Sequence, residues 1–118
     1  MFKLYIRMRD LPNGYGHCCS CNKFLLFSQS DGGHFINCGK MPTRWDETNV
    51  HAQCRACNRF NEGNGPGYTL FMVDRYGRDH VEYLIEKSKS YAGHIDYELQ
   101  QMIKDYKQKI KDIGYVKL

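Results

Sequence analysis

The sequence predicts an α+β fold: a small zinc-stapled core containing short strands, with a helical C-terminal part. Three observations carry that prediction. Two Cys-x-x-Cys pairs, Cys18/Cys21 and Cys54/Cys57, bracket short apolar runs that are broken by glycine. Beyond Pro66 the apolar residues change to helical spacing, and Leu99, Ile103, Tyr106 and Ile110 fall on one stripe of a last helix. The 118 residues are 42% hydrophobic and 14% aromatic, enough for one domain and too apolar for disorder. Residues 1–16 are expected to form an N-terminal arm, 17–67 the stapled core and 68–118 the helical part.

Taken in order, residues 2–9 suit either regular structure. Phe2, Leu4, Ile6 and Met8 alternate as in a strand, while Phe2, Tyr5, Ile6 and Arg9 would share a helical face. Residues 11–16 are a turn cluster by composition. Phe24 to Phe27 read as a short buried strand after the first knuckle. Ser30-Asp31-Gly32-Gly33 then reads as a break, and His34-Phe35-Ile36 as the start of a second strand. Residues 37–43 read as loop, and 47–53 as a return segment into the second knuckle.

A helix is expected from about Cys54 to Asn61, ending in the glycine-rich 63–67 stretch. Tyr68 to Tyr76 reads as a helix stopped by Gly77. Asp79 and Glu82 have capping-box spacing for a further helix with Val81, Leu84 and Ile85 inward. The last helix, 96–112, is expected to carry Lys104, Lys107, Lys109 and Lys111 on its solvent face.

No run of 18 apolar residues occurs, so no membrane span or membrane partner is expected. The first residues lack the apolar run of a signal peptide, so a cytoplasmic location is expected. A net charge of +4 is compatible with a polyanionic partner without requiring one. Six cysteines without an export signal favour metal ligation over disulfides, with an iron–sulfur cluster or a redox pair as the remaining uses. Four thiolates from two knuckles complete a tetrahedron around Zn²⁺ and keep no open position, so such a zinc would be structural. Cys19 and Cys38 have no partner at ligand spacing and read as small buried residues.

Several segments carry a family resemblance. They include Ile6-Arg7-Met8-Arg9-Asp10-Leu11-Pro12, Cys18-Cys19-Ser20-Cys21, Gly33-His34-Phe35 and Arg44-Trp45-Asp46-Glu47-Thr48-Asn49-Val50-His51. The same likeness continues through Gln53-Cys54-Arg55-Ala56-Cys57-Asn58, Gly63-Asn64, Arg75-Tyr76-Gly77 and Tyr106-Lys107-Gln108-Lys109. The chain resembles HNH endonucleases, which have a ββα-metal architecture. More closely, it is similar to the NinG/Rap recombination endonucleases of lambdoid phages. The resemblance implies a helical N-terminal arm and cutting of branched DNA such as D-loops and Holliday junctions, in the host cytoplasm. Cutting paired strands would suit a homodimer, and no small-molecule cofactor is implied. A nuclease of ordinary duplex specificity and a non-catalytic zinc-containing DNA-binding module are the alternatives.

The chemistry accounts for the residue types independently. Hydrolysing a phosphodiester requires a base for the attacking water and a cation for the developing charge. His34, following Gly32-Gly33, is the candidate base, since an imidazole is largely neutral at pH 7. The two glycines would let a DNA backbone approach. By resemblance, Asn49 holds the loop and orients the imidazole. By resemblance, Asn58, directly after the second knuckle, is the candidate ligand for a catalytic Mg²⁺ or Mn²⁺, while Gly33 stands where many HNH enzymes carry an acid. His51 is a further catalytic candidate beside His34 and Asn49; it or Asp31 could add a contact to that ion, and the alternative for His51 is a polar contact to DNA or backbone. Arg44, Lys104 and Lys107 are candidate phosphate contacts, with a solvated helix face as the alternative for the two lysines. Trp45 stacks on a base or belongs to the core. His17, His80 and His94 read as ordinary structural or surface histidines.

Overall fold

The computed structural model describes residues 1–90 and 96–114. His94 lies outside the described residues. The order of elements is α1 (Phe2–Asp10), β1 (Tyr15–His17), β2 (Phe24–Leu26), β3 (Ser30–His34), α2 (Met41–Arg44), β4 (Val50–Cys54), α3 (Gly65–Tyr76), α4 (Arg78–Ser88) and α5 (Asp96–Ile113). A 3₁₀ turn at Phe27–Gln29 precedes β3, and a π-helical turn, Ala56–Phe60, follows β4.

The strands form two separate antiparallel ribbons, β1 with β2 and β3 with β4. In the second ribbon Ser30 pairs with Cys54, Gly32 with Ala52 and His34 with Val50. β3 therefore contains the glycines read as a break, and it ends at His34 instead of starting there. The glycines are dictated by close packing. A Cβ on Gly33 would overlap the Gln53 side-chain amide, and one on Gly32 would meet the Lys3 stem at 3.1 Å. What approaches them is the chain's own β4 and α1, not DNA. Such glycines mark close backbone approach within a strand.

α1 is a helix, and its last turn explains the Arg7–Asp10 run. Ala52 N–H donates to Asp10 Oδ2 at 2.8 Å, and Arg9 donates to the Val50 carbonyl at 2.9 Å and the Glu47 carbonyl at 2.7 Å. The Ala52 carbonyl accepts from Cys19 N–H at 3.1 Å. The outer edge of β4 is thus closed by side chains and a loop, which satisfies groups that would otherwise be open for pairing. Arg7 donates to Ser30 Oγ and the Phe27 carbonyl and so ties α1 to the start of β3.

One apolar cluster joins Met8, Leu11, Leu25, Phe27 and Ala52 to the cysteines. A second gathers Tyr68, Met72, Val81 and Leu84 from α3 and α4 with Cys19. The third packs Phe2, Ile6 and Val50 against Tyr106, whose ring meets Phe2 edge-on at 5.0 Å. α5 therefore returns to α1. Of its expected inward stripe, Tyr106 is buried, Ile110 packs against the first cluster and Leu99 is half-buried, whereas Ile103 is 48% exposed and Met102 packs in the third cluster instead. Lys109 leaves the solvent face to pair with Glu47 at 2.9 Å, where Tyr106 Oη also donates.

Other details differ from expectation. Only Leu25 of β2 is buried, because β1 and β2 form an exposed hairpin. β1 crosses the proposed boundary at residue 17, and α3 begins at Gly65, before the one at 68. Residues 41–44 of the expected loop form the single turn α2. α4 starts at Arg78 with Gly77 as its cap (φ 86°) and no side-chain cap, so the Asp79/Glu82 box is not made, and Ile85 is exposed. The glycine at 77 takes that left-handed conformation at no steric cost.

Candidate functional site

Two sites occupy the ends of the β3–β4 ribbon. At the Ser30/Cys54 end the sulfurs of Cys18, Cys21, Cys54 and Cys57 lie within 4.8 Å of one another. Three backbone N–H groups donate to two of the four sulfurs in the pattern of a metal knuckle: Ser20 and Cys54 to Cys18 Sγ at 3.4 and 3.3 Å, and Cys57 to Cys54 Sγ at 3.4 Å. Asn64 Nδ2 donates to Cys57 Sγ at 3.5 Å. Hydrogen bonds, first from the Cys19 thiol and then from backbone amides, lower the Cys18 pKa to about 4 against the opposing effect of burial. A compact, donor-supported set of four sulfurs is the chemistry of a structural zinc site, and the cluster can hold such an ion. Cys19 is buried in the α3–α4 cluster, whereas Cys38 is exposed, which corrects its reading as a buried residue.

At the opposite end, four residues or about 13 Å along the ribbon, lies His34. Its Nε2 is 2.8 Å from the Arg44 carbonyl oxygen. A carbonyl only accepts, so Nε2 carries the proton and Nδ1 of the neutral ring keeps the lone pair. Burial lowers the His34 pKa, the charges of Lys3 and Arg44 add to the shift, and the bond to Arg44 partly offsets it. The ring is accordingly neutral at pH 7. Lys3, Gly32, His34 and Asn58 line one open groove of about 400 Å³. The structure thus brings His34 and Asn58 together.

Asn49 is fully buried and does not touch the imidazole. Its Oδ1 accepts from Ile36 N–H at 2.8 Å, and its Nδ2 donates to the carbonyls of Ile36 and Thr43 at 3.1 and 3.0 Å. Thr43 precedes Arg44, so Asn49 fixes the segment whose carbonyl holds His34. The role of Arg44 that sequence reading missed is this backbone one, which no side-chain pattern announces. Its guanidinium is exposed over the Trp45 ring, 5.0 Å from the centroid.

His51 belongs elsewhere, which corrects its assignment beside His34. Register pairs it with Gly33, so its side chain leaves the opposite face of the ribbon from His34. It is 1% exposed, and both ring nitrogens are engaged, Nδ1 with Tyr68 Oη at 3.1 Å and Nε2 with Tyr76 Oη at 2.7 Å. Because Tyr68 donates its own proton to the Gly33 carbonyl at 2.7 Å, it must accept from His51. Nδ1 therefore carries the His51 proton, and Tyr76 donates to Nε2. Burial lowers the His51 pKa to about 3.

Asp31 is held by Arg59 at 2.9 Å, by Arg55 at 3.9 Å and by the Asn58 amide at 3.0 Å. Those bonds lower its pKa despite burial, and they leave it little capacity for another cation. Asn58 Nδ2 is spent on Asp31, while its Oδ1 accepts no hydrogen bond among the described residues. A neutral oxygen of that kind fits Mg²⁺, which keeps several waters. Lys104 and Lys107 are exposed on α5.

Fold and sulfur cluster together define a small α+β domain with a four-cysteine cluster that can hold a metal ion. Within that class the chain belongs to the NinG family: the profile described as Bacteriophage Lambda NinG protein matches residues 1–115. Over 108 residues it is 32% identical to Protein ninG of Escherichia phage 933W, 33% to that of Salmonella phage P22 and 32% to that of Escherichia phage lambda. Each match covers 91% of this chain and 50% of the relative, so the chain spans about half the length of these relatives. No solved structure matches it. Among the described residues no helix is long and apolar enough to cross a membrane.

Proposed function

We propose that the chain is a divalent-metal-dependent DNA endonuclease of the HNH type, with His34 as general base. The observation that carries this reading is the His34 Nε2 bond to the Arg44 carbonyl, which leaves Nδ1 as a free acceptor in the groove shared with Asn58. In the proposed step Nδ1 takes a proton from water, the water oxygen attacks phosphorus, and the sugar oxygen leaves. Asn58 would hold Mg²⁺ or Mn²⁺, an ion that stabilises charge on phosphorus and the leaving oxygen when bound. Asn49 positions the base through Thr43 and Arg44. The ββα element of this reading is β3, β4 and the π-helical turn that carries Asn58. The four cysteines would hold a structural Zn²⁺. Branched recombination intermediates as substrate, action as a homodimer and the host cytoplasm as compartment are supported by the family resemblance.

The test uses labelled linear, three-way and four-way DNA with wild type and His34→Ala, with and without added Mg²⁺ or Mn²⁺. Wild type should cut branched DNA in a metal-dependent way, and His34→Ala should be slower by about 10²–10⁴-fold, the usual worth of a positioned base. No cleavage by wild type would refute the enzyme reading. Equal cutting of linear and branched DNA would refute the junction preference, and an unimpaired His34→Ala would remove the base.

A further inference from the structure

We infer that Lys3 is the cation that holds a backbone phosphate of bound nucleic acid over the His34–Asn58 groove. The inference rests on the nuclease reading for the identity of the ligand, and on the geometry around Lys3 for its place. Lys3 sits on the first turn of α1 and is exposed. Three open clefts meet on this face, of about 400, 300 and 270 Å³, and Lys3 lines all of them. The first also contains His34 and Asn58, the second Asn58 and Arg59, and the third His34 and Arg44. A run of clefts that turns about one cation suits an extended polyanion better than a single small anion.

The position of Lys3 is built into the sheet. Its Cβ and Cγ lie 3.1 Å from where a Gly32 Cβ would stand, so the stem rests on β3 two residues before His34. The charge is also uncommitted. Arg7 and Arg9 on the same helix are spent on Ser30, Asp10 and backbone carbonyls. Arg55 and Arg59 are spent on Asp31. Lys3 has no carboxylate or carbonyl partner among the described residues. Its charge acts instead on His34, after burial one of the causes that lower the pKa of that ring. An unpaired ammonium beside a neutral base is unfavourable for protonating the base and favourable for a phosphodiester oxygen, to which lysine binds as a point charge.

The experiment reads binding apart from cleavage. Anisotropy of labelled four-way DNA is measured across a salt series with Ca²⁺ in place of Mg²⁺, for wild type, Lys3→Met, Lys3→Arg and Lys107→Met. Losing one phosphate contact should reduce the slope of log K against log salt by about 0.9 in Lys3→Met, and Lys3→Arg should restore it. An unchanged slope in Lys3→Met, or a reduced slope only in Lys107→Met, would overturn the assignment. Inorganic phosphate that displaces DNA from wild type but not from Lys3→Met, beyond the effect of chloride at equal ionic strength, would make this a free-phosphate site and overturn it too. A wild type that binds DNA without ever cutting it ends the nuclease reading, while the Lys3 contact is still decided by the slopes.

Discussion

Acid should destabilise this domain through a residue that takes no part in the proposed chemistry. His51 is buried between Tyr68, Tyr76 and Phe71, with the Phe71 ring 4.9 Å away, and the nearby charges of Asp10, Arg9 and Arg75 act on it less than burial does. Its folded pKa is lowered to about 3, against about 6.5 in an unfolded chain. Between those values the unfolded chain binds the extra proton, so stability falls as pH drops through that window. At 1.36 kcal/mol per pH step the cost is about 2 kcal/mol at pH 5, rising to about 4 kcal/mol at pH 3. Urea unfolding at pH 7 and pH 5 with zinc saturating, for wild type and His51→Gln, isolates the term because thiolate protonation is common to both proteins. Wild type should lose about 2 kcal/mol more than the variant. Should His51→Gln fold poorly at both values, nitrogen-detected NMR of wild type supplies the answer: a neutral, Nδ1-protonated His51 at pH 5. Equal losses in the two proteins, or a His51 that titrates near 6.5, would refute the buried-network argument.

Two further outcomes follow from the ribbon's ends. Cys57→Ser should lower bound zinc from about one per chain in a metal analysis and abolish cooperative unfolding, since the free energy of binding structural zinc is folding free energy. A variant that melts like wild type would show that the four sulfurs do not act as a staple. Asn49→Ala removes the side-chain partner of the Ile36 N–H and of the Ile36 carbonyl, while the Thr43 carbonyl keeps the Asp46 N–H at 3.2 Å, and should cost about 2 kcal/mol of stability at unchanged zinc content. Loss of zinc from Asn49→Ala would contradict the separation of the two sites.

The sequence was most legible where spacing has only one physical use. Two Cys-x-x-Cys pairs had to meet, and they do. Gly77 had to end α3, and it does so with a positive φ. It was least legible where one residue type serves two purposes. Gly32 and Gly33 give the same signal for a break as for a strand whose neighbours press close, and only the positions of Gln53 and Lys3 decide between them. A histidine two residues beyond Asn49 fits a motif, yet the face it leaves from depends on register, which follows from the pairing of β3 with β4. The Lys109 partner, Glu47, is distant in sequence, so the departure of Lys109 from the solvent face had no local sign.

Gly33 and Gln53 divide one fixed volume between two strands, which couples the choice of side chain at the two positions. The Gln53 amide donates to Ser20 Oγ and to the Gly63 carbonyl, both at 2.7 Å, while its buried Oε1 has no hydrogen-bond partner among the described residues and lies over the space that residue 33 leaves empty. An acidic side chain at 33 can enter only if 53 gives up its bulk. Relatives that carry aspartate or glutamate at the position of Gly33 should therefore carry glycine, alanine or serine at that of Gln53. A relative with an acid at the first and glutamine at the second would contradict this exchange.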